Sequence, residues 1–204
     1  MPKTALATSP PESDLPQKIG DVILGLVLRV PASNEHTVAQ PEARARELGR
    51  AAARQASLMA GSLALPPGVL GWLTILPELV AVWKLQAQLV SDIAATYGKT
   101  ASLGREQMIY CLFKHVSAQL FRDVVVRVGE RYVVKAASLA FFQSAARALG
   151  LKVTKNIIGK SVSRFVPLIG AVGVGAYAYF DTTQVAKSSI ELFSQEITQT
   201  TDIL

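Results

Sequence analysis

"PELVAVWKLQAQLVSDIAATYG", Pro77 to Gly98, has the most regular periodicity of any segment in the sequence. Apolar or uncharged side chains recur there at alternating steps of four and three residues, while Lys84, Gln88 and Asp92 line a different face. This spacing predicts an amphipathic helix that ends at Gly98, a residue type suited to a helix C-terminus. The recurring face consists of Leu79, Trp83, Gln86, Val90, Ile93 and Tyr97.

The composition favours helix in the rest of the chain as well. Half of the 204 residues are hydrophobic, 18% are charged and only 7% are aromatic, so the apolar content is mainly Ala, Val, Leu and Ile. Abundant Ala favours helix over sheet, and this length suits one domain with a sizeable core. We predict an all-α fold, a single bundle of about six to eight helices. Residues 17–204 form this domain, and residues 1–16 form a flexible tail.

Two Gly/Pro-rich apolar segments are predicted to form hairpins, one from Leu65 to Pro77 and one from Pro167 to Phe180. The first lies in an uncharged run between Arg54 and Glu78 that has roughly the length needed to cross a bilayer. Three prolines interrupt that run, so a re-entrant or buried helix-turn-helix fits better than a spanning helix.

Three glycines, Gly170, Gly173 and Gly175, lie within six positions of the second segment. Their order is the reverse of the dinucleotide-binding pattern, and the uncharged run around them is too short to cross a bilayer. Small residues at this density favour close packing between helices, with partial insertion into a membrane as the alternative.

The positive charge is concentrated in the middle of the chain. Between Arg122 and Arg164 there are nine basic residues and two acidic ones, within a net charge of +6. A basic surface attracts nucleic acid or anionic lipid headgroups. The nearby aromatic residues lie on apolar faces, which favours lipid. The predicted lipid or anion surface comprises Arg127, Arg131, Lys135, Lys152, Lys155, Lys160 and Arg164.

One segment in this basic region is ambiguous. "RDVVVRVGERYVVKAASLAFFQSAARALG", Arg122 to Gly150, begins with a β-branched run that could start a strand. We predict a helix, because a lone strand would have no partner. A further helix is predicted from Asp181 to Ile197, leading into a polar end.

No constellation of residues points to catalysis. The single cysteine, Cys111, excludes an internal disulfide, and two distant histidines without a Cys-x-x-Cys motif give no metal site. "TKNIIGKS", residues 154–161, lacks the first glycine of a phosphate-binding loop. The sequence therefore leans away from an enzyme and predicts no cofactor. The charged and amide residues around the best helix are interpreted as a structural polar seam of Glu78, Lys84, Gln88 and Asp92.

Two long stretches carry a family resemblance. "LPPGVLGWLTILPELVAVWKLQAQLVSDIAATYGK", residues 65–99, and "SRFVPLIGAVGVGAYAYFDTTQVAKSSIELF", residues 163–193, resemble the EcsC-like proteins of bacteria. The resemblance covers about residues 60–193. It implies an all-helical fold and a loose link to membranes and transporter-associated operons, and it assigns no chemistry to any residue.

These observations together favour a non-catalytic, membrane-associated adaptor or accessory protein. It is expected to bind anionic lipid or a protein partner at the membrane, and not to bind nucleic acid. The sequence is compatible with an oligomer. Its N-terminal stretch lacks the basic end and apolar core of a secretory signal, which predicts the cytoplasm, peripheral to the inner membrane. The alternative is a soluble helical carrier that encloses a lipid or fatty acid.

Overall fold

The computed structural model describes residues 15–63, 71–159 and 167–200. Within these ranges the protein is predominantly helical, with a small sheet at one side. The helices are α1 (Leu15–Val27), α2 (Pro41–Leu63), α3 (Gly71–Thr96), α4 (Arg105–Ser117), α5 (Leu139–Gly159) and α6 (Pro167–Phe193). The strands are β1 (Val125–Val128), β2 (Arg131–Lys135) and β3 (Glu196–Thr200). The prediction of an all-α bundle of about six to eight helices is confirmed, with six α-helices among the described residues.

Some predicted boundaries differ from those observed. Helix α1 begins at Leu15, inside the predicted tail, and residues 1–14 lie outside the described ranges. The predicted hairpin from Pro167 to Phe180 is instead the first half of the continuous helix α6. Residues 65–70 of the other predicted hairpin are not among those described, whereas its last residues belong to α3.

Helix α3 has the predicted face and the predicted end. Trp83, Gln86, Val90 and Ile93 are buried, and Trp83 meets Phe113 of α4 edge-on with ring centroids 5.6 Å apart. The helix stops at Gly98, whose φ of 68° is left-handed. There the amide of Gly98 donates to the carbonyl of Ala95 at 2.9 Å and the amide of Lys99 donates to that of Ala94 at 2.8 Å, the pattern of a glycine C-cap.

The helices associate in two closely packed pairs around a common core. Helix α2 packs on α6 and α3, and α1 packs on α5. Helix α4 lies between these pairs and contacts α3, α5 and α6. In the second pair a Cβ at Gly150 would lie 2.3 Å from the carbonyl oxygen of Pro16, so the two backbones approach too closely for any side chain.

The helix predicted from Arg122 to Gly150 is observed only from Leu139 onward, as part of α5, and is wrong for residues 122–135. This segment is an antiparallel hairpin in which Val125 pairs with Val134 and Val128 with Arg131. Its two-residue loop begins with Gly129 at a φ of 63°, a conformation that glycine adopts without strain. The second strand begins three residues after the first one ends, so the strand has a partner and the argument against a strand does not hold.

The predicted closing helix also ends earlier than expected. Helix α6 stops at Phe193, and residues 196–200 form β3, which pairs in parallel with β2 from Arg131 opposite Glu196 to Lys135 opposite Thr200. Tyr132 and Val134 of β2 face inward, and the Tyr132 ring lies 6.4 Å from that of Tyr110 on α4. The sheet thus covers one end of the helical core.

Candidate functional site

Helices α2 and α6 lie antiparallel and in close contact. A Cβ at Gly49 would lie 2.8 Å from the Cβ of Ala186, and a Cβ at Gly175 would lie 3.0 Å from the carbonyl oxygen of Ser57. Position 49 thus faces position 186 and position 57 faces position 175, so the chains run in opposite directions. Small side chains at these positions allow the two backbones to approach.

Helix α3 covers one side of this pair. Val82 of α3 clusters with Ala56 and Ala60 of α2 and Ala178 of α6. Next to this cluster the Gln86 amide donates to Asp181 Oδ2 at 2.8 Å and to Thr182 Oγ1 at 3.0 Å. Because α3 occupies one side of both helices, the side chains that α2 and α6 turn away from it emerge together on the opposite side.

That opposite side exposes large apolar side chains. Leu58 of α2 is 74% exposed, and on α6 Val172 is 72% exposed, Phe180 59% and Tyr179 41%. Monomeric soluble proteins rarely expose large contiguous apolar surface, and such a patch is typical of an interaction site. We call this set the apolar patch: Leu58, Val172, Ala176, Tyr179 and Phe180.

Exposed cations border the apolar patch. Arg50 and Arg54 precede Leu58 at four-residue intervals and so continue its stripe along α2. Lys187 lies on α6 beyond Phe180 and directly after Ala186, which contacts Gly49. We call Arg50, Arg54 and Lys187 the cationic rim.

Unlike Arg44 and Arg46 of α2, the three residues of the cationic rim have no counterion within the part of the chain that the structure describes. Arg44 binds Glu35 at 2.7 Å and Glu47 at 2.9 Å, and Arg46 binds Glu42 at 2.5 Å. No described carboxylate lies within ion-pair distance of the three rim residues. An anion on this surface would therefore meet three cations that are free of described partners.

A partly buried polar group holds α6 to α3 and α4 directly after the patch ends. His115 Nε2 of α4 lies 2.7 Å from Asp181 Oδ1, and the other carboxylate oxygen accepts from Gln86. The His115 side chain is 17% exposed and that of Asp181 12%. An aspartate in this position can orient a histidine for proton transfer. The thiol that lies nearest in the sequence is not suited to be the nucleophile that such a histidine would activate.

Cys111, one turn before His115, illustrates the point. Its thiol is fully buried, and this burial raises its pKa to about 12 even though Ser189 offers a hydrogen bond. A thiol that stays protonated is a poor nucleophile. Cys111 is therefore a core residue between α4 and α6.

A second ion-paired group joins α4, the sheet and α6. Lys114 Nζ donates to Glu191 Oε2 and Tyr132 Oη donates to Glu191 Oε1, both at 2.7 Å. Burial alone would raise the pKa of Glu191, but the bonds from Lys114 and Tyr132 outweigh it and lower the pKa. The same burial, together with the bond to Glu191, raises the pKa of Tyr132. This group fixes the sheet to the bundle.

The basic residues singled out from the sequence do not form the cationic rim. Arg127 and Arg131 are exposed on the hairpin and Lys135 is half-buried there, with Arg131 paired to Glu196 at 2.9 Å. Lys152 and Lys155 are exposed on α5. The remaining two candidates, Lys160 and Arg164, lie outside the described residues.

The predicted close packing of glycines occurs at one of the three positions. Gly175 approaches the backbone of α2, whereas Gly173 is exposed with no described atom within 4 Å of a Cβ built on it. Among the described residues, close packing is therefore seen at Gly175 and not at Gly173. Gly170 belongs to the first turn of α6, and its surroundings are not described.

The predicted polar seam contains one bonded pair. The Gln88 amide donates to Asp92 Oδ1 at 2.8 Å and to the carbonyl of Ala32 at 2.9 Å, and Ser33 Oγ donates to the same Asp92 oxygen at 2.6 Å. The seam thus holds the loop between α1 and α2. Lys84 is exposed apart from it, and the Glu78 side chain is outside the described part of the structure.

None of the helices in the described ranges combines the length and the apolarity that crossing a membrane requires. Over the same residues no three His, Cys, Asp or Glu side chains converge in a way that would hold a metal ion.

Comparison with known proteins gives no neighbour for this chain. No protein-family profile, curated protein or solved structure matches it. The EcsC-like resemblance therefore stays a prediction from the sequence, and the candidate site is argued from its geometry.

Sequence reasoning missed part of this site for an identifiable reason. The stripe of Arg50, Arg54 and Leu58 is readable from its four-residue spacing, but Lys187 joins it only through the contact between Gly49 and Ala186. Likewise, His115 and Asp181 are 66 residues apart and share no local pattern. Only the register between helices brings these groups together.

Proposed function

We propose that this protein docks on an anionic membrane surface through the apolar patch and the cationic rim, and acts there as a non-catalytic adaptor. The observation that carries the proposal is the exposure of Leu58, Val172 and Phe180 beside cations without described counterions. Apolar side chains next to exposed arginine and lysine are typical of helices that lie in the membrane interface.

The spacing along α2 suits this arrangement. At 1.5 Å per residue, Arg54 lies about 6 Å and Arg50 about 12 Å from Leu58 along the helix axis. Interfacial helices bury their apolar face about 5–10 Å deep. With α2 lying in the interface, Leu58 and Val172 reach that depth, and Arg50 and Arg54 on the same stripe extend their long side chains to the lipid phosphates. Tyr179 finds there the amphipathic environment that tyrosine favours.

The other basic surfaces stay in water in this orientation of the adaptor. They comprise the hairpin residues Arg127 and Arg131 and the α5 residues Lys152 and Lys155. We propose that a protein partner at the membrane contacts this remaining surface. The docking step itself does not depend on that partner and is tested first.

The test is flotation with vesicles of phosphatidylcholine, alone or mixed with phosphatidylglycerol. We expect binding to the anionic vesicles only, with release when salt rises from about 0.1 M to about 1 M and the Debye length falls from about 10 Å to about 3 Å. Phe180→Gln or Leu58→Gln should weaken binding by about tenfold, since burying such a side chain contributes about 1.5–3 kcal/mol.

Leu151→Gln is the matched control, because Leu151 is 53% exposed on α5, away from the patch. It should bind as the unaltered protein does. Equal weakening by Leu151→Gln and Phe180→Gln, or no flotation with anionic vesicles, would refute the proposed docking. Protein purified without detergent that stays off vesicles but carries one bound lipid in native mass spectrometry would identify a carrier instead.

A further inference from the structure

We infer that the cationic rim binds the phosphomonoester headgroup of a lipid of the phosphatidate type. This inference rests on the proposed membrane docking and adds to it the chemistry of the headgroup. It is carried by the convergence of Arg50, Arg54 and Lys187 at the contact between α2 and α6.

The helix contact brings the three cations to one place. Gly49 and Ala186 are in direct contact, and Arg50 and Lys187 are the residues that directly follow them. Both are exposed, so both point away from the core beside the same contact. Arg54 lies one turn from Arg50, about 6 Å along the axis. Long arginine and lysine side chains can reach a single anion from these positions.

The charges around this place are uncompensated. Like charges at an interval of four residues destabilise a helix, yet Arg50 and Arg54 have no described carboxylate partner. Glu47 is the nearest acid on α2, and it already binds Arg44 at 2.9 Å. On the facing side of α6, Glu191 is held by Lys114 and Tyr132. The acids of both helices are therefore engaged elsewhere.

A phosphomonoester satisfies this arrangement better than a phosphodiester. It carries a charge of about −1.5 to −2 at neutral pH and offers three strong acceptor oxygens. Guanidinium groups donate paired hydrogen bonds to phosphate oxygens, and such charge-assisted bonds are about twice as strong as neutral ones. A phosphodiester carries a single negative charge and leaves two of the three rim charges unbalanced, whereas a phosphomonoester leaves only about one.

The apolar patch indicates a lipid rather than a free phosphate ester. Leu58 lies one turn beyond Arg54, and Val172, Ala176 and Phe180 are exposed on the neighbouring helix. A lipid held by its phosphate at the rim places the boundary of its acyl chains against these side chains. A soluble phosphomonoester gains only the contacts of the rim.

The experiment compares vesicles that contain phosphatidate with vesicles that contain phosphatidylglycerol, adjusted to equal surface potential. We expect binding to phosphatidate to be tighter by about tenfold or more, because its additional negative charge allows one more charge-assisted hydrogen bond to the rim. Arg50→Gln and Lys187→Gln should each abolish this preference. Lys155→Gln, which removes an exposed cation from α5, should keep it.

The outcomes separate this inference from the docking on which it rests. Equal binding to both vesicles at equal potential overturns the phosphomonoester site and leaves the docking intact. No binding to either vesicle overturns both. Phe180→Gln should weaken binding to both vesicles by the same factor, so that the preference for phosphatidate remains. A purely apolar contact would show no such preference.

Two further arms identify the headgroup chemistry and its source. The second ionisation of a phosphomonoester has a pKa of about 6, so the preference should vanish between about pH 7.5 and about pH 5. A preference that persists at the lower pH overturns the inference. Soluble glycerol phosphate should not displace the protein from phosphatidate vesicles, and displacement by it would show that the ligand is a free phosphomonoester.

Discussion

Asp181 joins three helices through a single carboxylate. Both of its oxygens are engaged, one by His115 of α4 and the other by Gln86 of α3. Asp181→Asn replaces one acceptor with a donor that faces these donors, so we expect the free energy of unfolding to fall by about 1–3 kcal/mol. Urea denaturation followed by circular dichroism measures this change. Asp123→Asn, at an exposed position, should stay within about 0.5 kcal/mol of the unaltered protein.

Glu191 makes the stability depend on acidity. Its pKa is lowered in the folded protein from the ordinary value of 4.5, so its contribution is present above pH 4.5 and is lost as the pH falls through the folded value. We expect Glu191→Gln to lower the urea midpoint at pH 7 and the difference from the unaltered protein to shrink steadily below pH 4.5. A difference that stays constant down to strongly acidic pH would contradict this assignment.

Cys111 should be chemically silent in the folded protein. It is fully buried and its thiol has a pKa of about 12, so neither access nor thiolate is available at pH 8. We expect Ellman's reagent to label it in guanidinium but not in native buffer over the same time. Rapid native labelling would show that the α4–α6 contact opens readily.

At the scale of elements, the crossing of α1 and α5 depends on the absence of a side chain. A Cβ at Gly150 would lie 2.3 Å from the Pro16 carbonyl oxygen and 3.0 Å from the amide nitrogen of Gly20, both of them backbone atoms. Gly150→Ala should therefore lower the free energy of unfolding by about 1–3 kcal/mol. Gly173→Ala, where a Cβ meets no described atom, should raise it by about 0.5–1 kcal/mol, because alanine favours helix over glycine. Thermal unfolding distinguishes the two, and destabilisation by both would contradict the packing described.

The elements also show what the sequence can and cannot predict. The periodicity of α3 was sufficient to predict that helix, because its apolar face and its C-terminal glycine are both local features of the sequence. The hairpin was missed because its β-branched run is compatible with either structure, and Gly129 at the turn was the signal that decides it. Strand β3 was missed because its partner is distant: Arg131 pairs with Glu196, and no local pattern marks that register.

In the molecule as a whole, the cationic rim is expected to lower the free energy of unfolding while it strengthens binding to anionic membranes. Arg54→Glu removes a like-charge pair and gives Arg50 a partner one turn away, so the free energy of unfolding should rise by about 0.2–0.5 kcal/mol. The same change should weaken binding to anionic vesicles, since it places a negative charge beside the patch. Denaturation and flotation of one variant measure both effects. An unchanged vesicle affinity would mean that the rim does not face the membrane.

The fold class was predictable as a whole, whereas the candidate site was predictable only in part. Helical spacing and the abundance of small residues were sufficient to predict the bundle. The exposed apolar run of α6 was recognisable in the sequence as a glycine-rich segment. The cationic rim depends on which turns of α2 and α6 meet, at Gly49 with Ala186 and Ser57 with Gly175. Such a register arises from side-chain volumes on both helices together, which no single segment reveals.

The parallel pairing of β2 with β3 has a consequence for biosynthesis. The paired residues Arg131 and Glu196 are 65 positions apart, so a ribosome that adds about 5–20 residues per second needs roughly 3 to 13 s to deliver the second strand after the first. During that interval the hairpin emerges with an unpaired flank of β-branched residues, open to association with a neighbouring nascent chain. Chaperone dependence of this protein should therefore be greatest while α5 and α6 are still being translated.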